Sequence, residues 1–204
     1  MIGDVVGSRA RRQTTWHASL VAALDRVNEQ VAAEQPLAPT VGDEFQGLYA
    51  TPGAALRATL LVRLELDGEL DCRFGIGVGG HRQIGEGARP IQEGTAWWSA
   101  RDAIITAKKL ESVRQPTVRT WLRQEDAPEL EASTNAYLLA RDHLLTQMDA
   151  RARRLLLGLI QGRTQVELAA REGIGQSAVS RNLRRNGAYA VLKGMHLMDA
   201  GSST

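Results

Sequence analysis

The stretch Thr164–Asn186, TQVELAAREGIGQSAVSRNLRRN, constrains this chain more than any other part of it. Its spacing predicts two short helices meeting at a tight turn. Thr164 is placed to cap the first helix, and Glu167, three residues on, to reach back and complete a capping box. Val166, Leu168, Ala169 and Ala170 supply an apolar face, and small Ala169 lets the helices approach closely. Gly173 falls where the chain must turn, a position that favours a residue tolerant of positive φ, and Ile174 plugs the corner. Gln176 or Ser177 opens a second helix whose Val179 and Leu183 point inward. An ordinary helical hairpin also favours Gly between its helices. The set Ala169, Gly173, Ile174 and Val179, with amides, hydroxyls and guanidiniums left outside, instead matches a helix-turn-helix, whose second helix enters the major groove. The expected DNA-contacting residues are Gln165, Gln176, Ser177, Ser180, Arg181, Arg184 and Arg185. The arginines should mostly hold phosphates, with Gln176, Ser177 and Ser180 nearer the bases.

Charge agrees with that reading. From Met148 onward there are nine Arg and Lys against four acids, whereas the rest of the chain is slightly acidic. A basic end on an acidic body is the electrostatic footprint of a DNA-reading tail. The lone Cys72 excludes an internal disulfide framework, fits a reducing cytoplasm, and is expected to be a small core residue. The N-terminus shows no basic region followed by an apolar stretch, and no apolar run approaches membrane-spanning length. The six-residue LLLGLI at Leu155–Ile160 reads as core, so no membrane partner is expected.

The preceding body alternates strand and helix signals. Val5 and Val6 are strand-like, and a helix from about Arg12 to Ala33 carries Trp16, Leu20, Leu24, Val27 and Val31 on one face. Pro36 and Pro39 break it. Two strands then meet at a turn: Thr40–Val41 enters, Gly42–Asp43 turns and Phe45–Tyr49 leaves. A second helix aligns Leu56, Leu60 and Leu64 and ends at Asp67–Gly68. In the strand Cys72–Val78, Gly75, Gly77 and Gly79 share one face, so something approaches that backbone closely, either a packed helix or a ligand. A polar loop follows over His81–Glu93, then a helix over Gly94–Leu110 and a strand over Pro116–Leu122. In the pair Trp97–Trp98 one ring should be core and the other should cover a groove or a partner. The expected fold is α+β: a mostly antiparallel sheet with packed helices over residues 1–124, a linker and connecting helix over 125–148, and an all-α helix-turn-helix domain over 149–204.

Asp4 and Asp43 each follow a glycine at a strand end. On neighbouring strands they would present two hard carboxylates at one edge, the arrangement that holds Mg²⁺ together with substrate phosphates. Gly-Asp is also simply a good turn dipeptide. Glu44 is a possible third oxygen, though strand alternation should turn it to the other face. The four histidines are scattered without ligand spacing, and no Ser-His-Asp or Cys-His set emerges.

With IGDVVGSR, PTVGDEFQGLY, RFGIGVG and EGTAWWSAR in this order, nearly the whole chain resembles the SatD family of bacterial proteins. More distantly, the N-terminal part is similar to the palm domain of class III nucleotidyl cyclases and their diguanylate-synthesising relatives, a ferredoxin-like antiparallel sheet. The resemblance implies that Asp4 and Asp43 bind metal, and that Gly42, Glu44, Gly75, Gly77 and Arg101 contact a nucleotide. Trp97 stands four residues before Arg101 where the cyclases carry asparagine, which implies binding without turnover. Only Met1–Gly3 precede Asp4, so the first strand is expected to be a stub or to begin before this chain does. The reading at this stage is a cytoplasmic, homodimeric transcriptional regulator whose palm-like domain senses a nucleotide and Mg²⁺ or dimerises. Its rivals are a Mg²⁺-dependent nucleotidyl cyclase or transferase with a DNA-targeting tail, and an N-terminal domain that is purely a dimerisation scaffold.

Overall fold

The computed structural model describes residues 1–8, 13–68, 70–84 and 91–201. Strand β1 (Ile2–Val5) is followed by helix α1 (Gln13–Gln30), strands β2 (Gln35–Pro39) and β3 (Glu44–Leu48), helix α2 (Pro52–Glu65) and strand β4 (Cys72–Gly77). A hairpin of β5 (Arg82–Ile84) and β6 (Ile91–Glu93) precedes helix α3 (Thr95–Val113) and strand β7 (Thr120–Arg123). Five further helices complete the chain: α4 (Pro128–Gln147), α5 (Ala150–Ile160), α6 (Gln165–Glu172), α7 (Gln176–Arg185) and α8 (Ala188–Gly201). The protein is therefore α+β, with eight helices among the described residues. The expected helix start at Arg12, the middle of the His81–Glu93 loop and the last residues of the tail lie outside the described residues.

The main sheet runs β2-β3-β1-β4-β7. Its first three contacts, β2 with β3, β3 with β1 and β1 with β4, are antiparallel, but β7 joins β4 in parallel. The sheet is thus mixed: mostly antiparallel, as expected, with one parallel pairing at β7 that the sequence does not signal. The cause is the connection: α3 carries the chain back across the sheet, so the next strand re-enters in the same direction as β4. The second strand is Gln35–Pro39, which contains Pro36 and Pro39 and ends before Thr40–Val41, where the entering strand was expected. It is an edge strand, where a missing backbone N–H leaves no ladder bond unmade.

Alternation along β4 separates two layers. Cys72, Phe74 and Ile76 enter the core formed with Trp16, Leu20, Leu24 and Val27 of α1 and with α2. Arg73, Gly75 and Gly77 face α3. A Cβ on Gly75 would lie 2.1 Å from the Ala100 carbonyl oxygen, and one on Gly77 would lie 2.1 Å from that of Ala96. The element that approaches these glycines is therefore α3. Trp97 is buried against Ile2, Ala100 and Ile104, whereas Trp98 is 68% exposed.

Helix α2 is apolar nearly all round, and such a helix must be covered on every side. Leu56, Leu61 and Val62 belong to the sheet core, while Leu60 and Leu64 belong to a second core with α5, α6, α7 and α8. Helix α4 closes the open edge of β7 with side chains. Asn135 accepts from the Leu122 N–H (2.8 Å) and donates to the Leu122 carbonyl (2.9 Å). Asp142 accepts from the N–H groups of Arg119 (2.9 Å) and Thr120 (2.6 Å). An edge covered in this way cannot template another strand.

Candidate functional site

Two groups of polar residues stand apart in the structure: a charged row at one end of the sheet and the outer surface of α7. Glu44, Asp4 and Arg73 are aligned across β3, β1 and β4. They share the face covered by α3, because directly paired residues point to the same side. Glu44 therefore lies beside Asp4, not on the opposite face as strand alternation from Asp43 implied. The alternation does not reach Asp43, which sits in the turn before β3 begins. Gly42 occupies the same turn.

Both oxygens of Asp4 accept from Nη1 of Arg73, at 2.9 and 3.0 Å, and the Arg73 Nη2 donates to Glu111 of α3. Glu44 accepts from Arg101 through both oxygens, at 2.6 and 2.9 Å, and Asp43 accepts from the Ser8 hydroxyl. Burial raises the Asp4 carboxyl above the ordinary aspartate value; Arg73 opposes this and the nearby charge of Asp43 adds to it. Asp4 and Asp43 thus sense each other electrostatically. As hard oxygen donors they suit a divalent cation, but Arg73 already holds both Asp4 oxygens, so a cation would have to displace it. Among the described residues no three His, Cys, Asp or Glu side chains converge as a metal cage. Gly75 and Gly77 lie under α3, and half-exposed Arg101 is engaged with Glu44. A cleft of about 230 Å³ lies toward the other end of the sheet, lined by Leu48, Tyr49, Thr51, Ile76 and Val78, with His81 and Glu34 3.5 Å apart at its rim.

At the C-terminal end, the Thr164 side chain accepts from the Glu167 N–H while the Glu167 carboxylate accepts from the Thr164 N–H, a complete capping box. Gly173 ends α6 in the left-handed conformation at φ 64°. Leu168 and Ala169 of α6 pack with Val179 and Leu183 of α7 and with Leu155 and Leu156 of α5. Val166 is 62% exposed and Ala170 is also exposed, which corrects the four-residue apolar face; this two-turn helix buries only Leu168 and Ala169. Ile174 is half-buried at the corner, as its position implied.

Gln176, Ser177, Arg181, Arg184 and Arg185 are exposed on α7, and Ser180 is half-buried. The Ser180 hydroxyl accepts from Arg184 (3.0 Å), and Gln165 donates to the Tyr189 hydroxyl (2.9 Å). Arg181 and Arg185 have no ion-pair partner among the described residues. Arg154 of α5 fixes the end of α6 by donating to both oxygens of Glu172, at 2.8 and 2.9 Å, and it also reaches Asp67 at 3.2 Å.

Sequence reasoning missed a buried ion-pair cluster between the two ends. Arg63 and Asp142, both side chains 0% exposed, meet at 3.2 Å, and Arg141 also donates to Asp142 at 3.0 Å. Asp71 accepts from Arg63 (2.9 Å) and Arg119 (2.6 Å). Burial alone would raise the Asp71 carboxyl, but these two guanidiniums outweigh it and hold it below the ordinary value. The available signal was Arg63 itself, a charge in the middle of the apolar run TLLVRL.

The architecture defines an α+β protein in which a mixed five-stranded sheet is built into one body with a C-terminal set of helices. A family model, the SatD family, matches residues 1–196, and the chain belongs to that family. No curated protein and no solved structure matches it. No helix among the described residues is long and apolar enough to cross a membrane.

Proposed function

We propose that this SatD family member is a DNA-binding transcriptional regulator of the cytoplasm, acting as a homodimer on double-stranded operator DNA. In this reading α6 and α7 form a helix-turn-helix. The surface of α7 carries the proposal: Gln176, Ser177, Arg181, Arg184 and Arg185 stand exposed on one short helix whose Val179 and Leu183 are buried. Capped α6 and the left-handed Gly173 support the same reading, because a helix-turn-helix needs a first helix that stops sharply at a tight turn before the second. The first six elements of the body follow the order β1-α1-β2-β3-α2-β4 with strands arranged β2-β3-β1-β4, which supports a ferredoxin-like, palm-like domain. That domain dimerises the protein and binds a nucleotide with Mg²⁺. Asp4 and Asp43 would hold the cation, whose chemistry is to neutralise phosphate charge.

The non-specific part of DNA binding is electrostatic, so any duplex tests the proposal by fluorescence anisotropy over a salt series. Arg181→Ala and Arg184→Ala should each make the negative slope of log K against log salt shallower by about 0.9. Slopes equal to wild type would sink the assignment.

The position of Asp4 and Asp43 at one sheet end favours a second reading, a Mg²⁺-dependent nucleotidyl cyclase or transferase. A nucleotide at about a hundred times its dissociation constant should stabilise the protein by roughly 2.7 kcal/mol. A thermal shift with Mg²⁺ and nucleotides that Asp43→Ala abolishes, together with turnover, would favour the enzyme. A shift without turnover fits a sensor. No shift with any nucleotide leaves the palm-like domain as a scaffold.

A further inference from the structure

An unbroken row of ion pairs runs from the Asp4 end of the sheet to Asp142 of α4. It starts at Asp4, whose carboxylate is held by Arg73, and Arg73 also donates to Glu111. Glu111 is 3.1 Å from Arg119, which donates to Asp71. Asp71 accepts from Arg63, and Arg63 in turn donates to Asp142 and, at 3.2 Å, to Thr146 of α4. Beside that junction, Arg153 of α5 donates to the carbonyls of Leu145 (2.8 Å) and Met148 (3.2 Å), and its third nitrogen lies 3.5 Å from the Arg63 carbonyl. The next residue, Arg154, grips α6 through Glu172.

We propose that this row couples the Asp4 end of the sheet to α4 and α5, so that a change of charge at Asp4 alters how firmly the C-terminal helices are held. Its acids and bases alternate, and each inner member is shared between two neighbours of opposite sign. The guanidiniums of the row are the shielded members, Arg73 and Arg119 at 7% and 11% exposed and Arg63 fully buried like Asp142, while Asp4, Glu111 and Asp71 are 19–28% exposed. Where water is scarce, charges bind one another strongly and a lost partner is not replaced by solvent. If Asp4 is neutralised, Arg73 is left with Glu111 alone and draws it away from Arg119. Arg119 then leans on Asp71, Asp71 loosens from Arg63, and Arg63 shifts toward Asp142 and Thr146. A cation bound at Asp4 acts in the same direction. The row itself rests on geometry; its use in controlling DNA binding rests on the reading given above.

Amide hydrogen exchange on the full chain tests the coupling, comparing wild type, Asp4→Asn, Glu111→Gln and the double variant. Glu44→Gln serves as control, because Glu44 lies beside Asp4 but pairs with Arg101 outside the row. Relative to α1, protection over residues 138–154 should rise at least about threefold in Asp4→Asn and in Glu111→Gln, because Arg63 then holds α4 more firmly, a change within the range of measured site couplings. It should stay at the wild-type value in Glu44→Gln, and the double variant should match Glu111→Gln alone. Changes confined to β1, β4 and α3, or additive effects in the double variant, would overturn the proposal. If Asp4→Asn does not fold, Arg73→Lys replaces it, since an ammonium cannot span Asp4 and Glu111 as the fork does. Duplex affinity measured on the same proteins separates the two readings. Remote exchange changes with no DNA binding by any protein, wild type included, support the row and remove the regulator. DNA binding without remote exchange changes removes the row.

Discussion

Replacing Asp142 by Asn changes one oxygen to an amide group at the carboxylate that accepts most hydrogen bonds among the described residues. One oxygen of Asp142 takes Arg63 and Arg141, and the other takes the N–H groups of Arg119 and Thr120. Asparagine has one acceptor oxygen for these two sets of donors. If its oxygen faces the guanidiniums, its NH₂ meets two backbone N–H groups; if it flips, its NH₂ meets two buried cations. Arg63 keeps Asp71, but Arg141 keeps only neutral partners, the Leu56 carbonyl and the hydroxyls of Thr59 and Thr120. Breaking a buried ion pair from one side costs about 3–5 kcal/mol. For a chain of this size each kcal/mol moves the midpoint by about 2–4 °C, so Asp142→Asn should melt roughly 6–20 °C below wild type. Urea titration followed by circular dichroism gives the free energy, and a thermal melt gives the midpoint. A loss under about 1 kcal/mol, the size of an exposed pair, would show that these charges do not hold α4 to the sheet.

Other positions give independent checks. Gly75→Ala places a methyl 2.1 Å from the Ala100 carbonyl, so α3 must move, and a loss of at least about 1–3 kcal/mol is expected in urea; an unchanged midpoint would mean that α3 does not rest on β4 as described. Gly173→Ala meets no atom within 4 Å, so its cost should be the left-handed backbone alone, about 1–2 kcal/mol in the same assay. A cost near zero would argue that the turn relaxes. Asp71 titrates below its ordinary value of 3.8, so it contributes stability that is fully present above that pH and disappears as pH falls through its folded-state value. Stability measured from pH 6 down to pH 2 should therefore decline below about pH 4, and part of that decline should be missing in Asp71→Asn. Parallel curves for the two proteins would mean that Asp71 is not the responsible carboxyl.

What was legible in the sequence was mostly local. The Thr164–Glu167 box and the turn at Gly173 depend on residues three to nine apart, and both are present. The buried stripe of α1 follows from helical period alone. The direction of β7 was not legible, because it depends on how α3 crosses the sheet rather than on any residue in the strand. Nor was the Arg63–Asp142 pair: Arg63 stands out within its apolar run, but nothing local names a partner 79 residues away. Glu44 was turned to the wrong face because the alternation was counted from a turn residue. Val166 and Ala170 were placed inward because apolar residues on so short a helix do not reveal which of them meets a neighbour.

The position of α2 has a consequence for how the protein is made. Its sheet-facing side finds partners as soon as β7 has emerged, but Leu60 and Leu64 wait for α5 and for α8, which ends at Gly201. Translation at about 5–20 residues per second needs roughly 4–16 s to go from Arg123 to Gly201. For that interval the ribosome carries a finished sheet with one greasy flank in water. A nascent-chain chaperone would have its clearest landing place there.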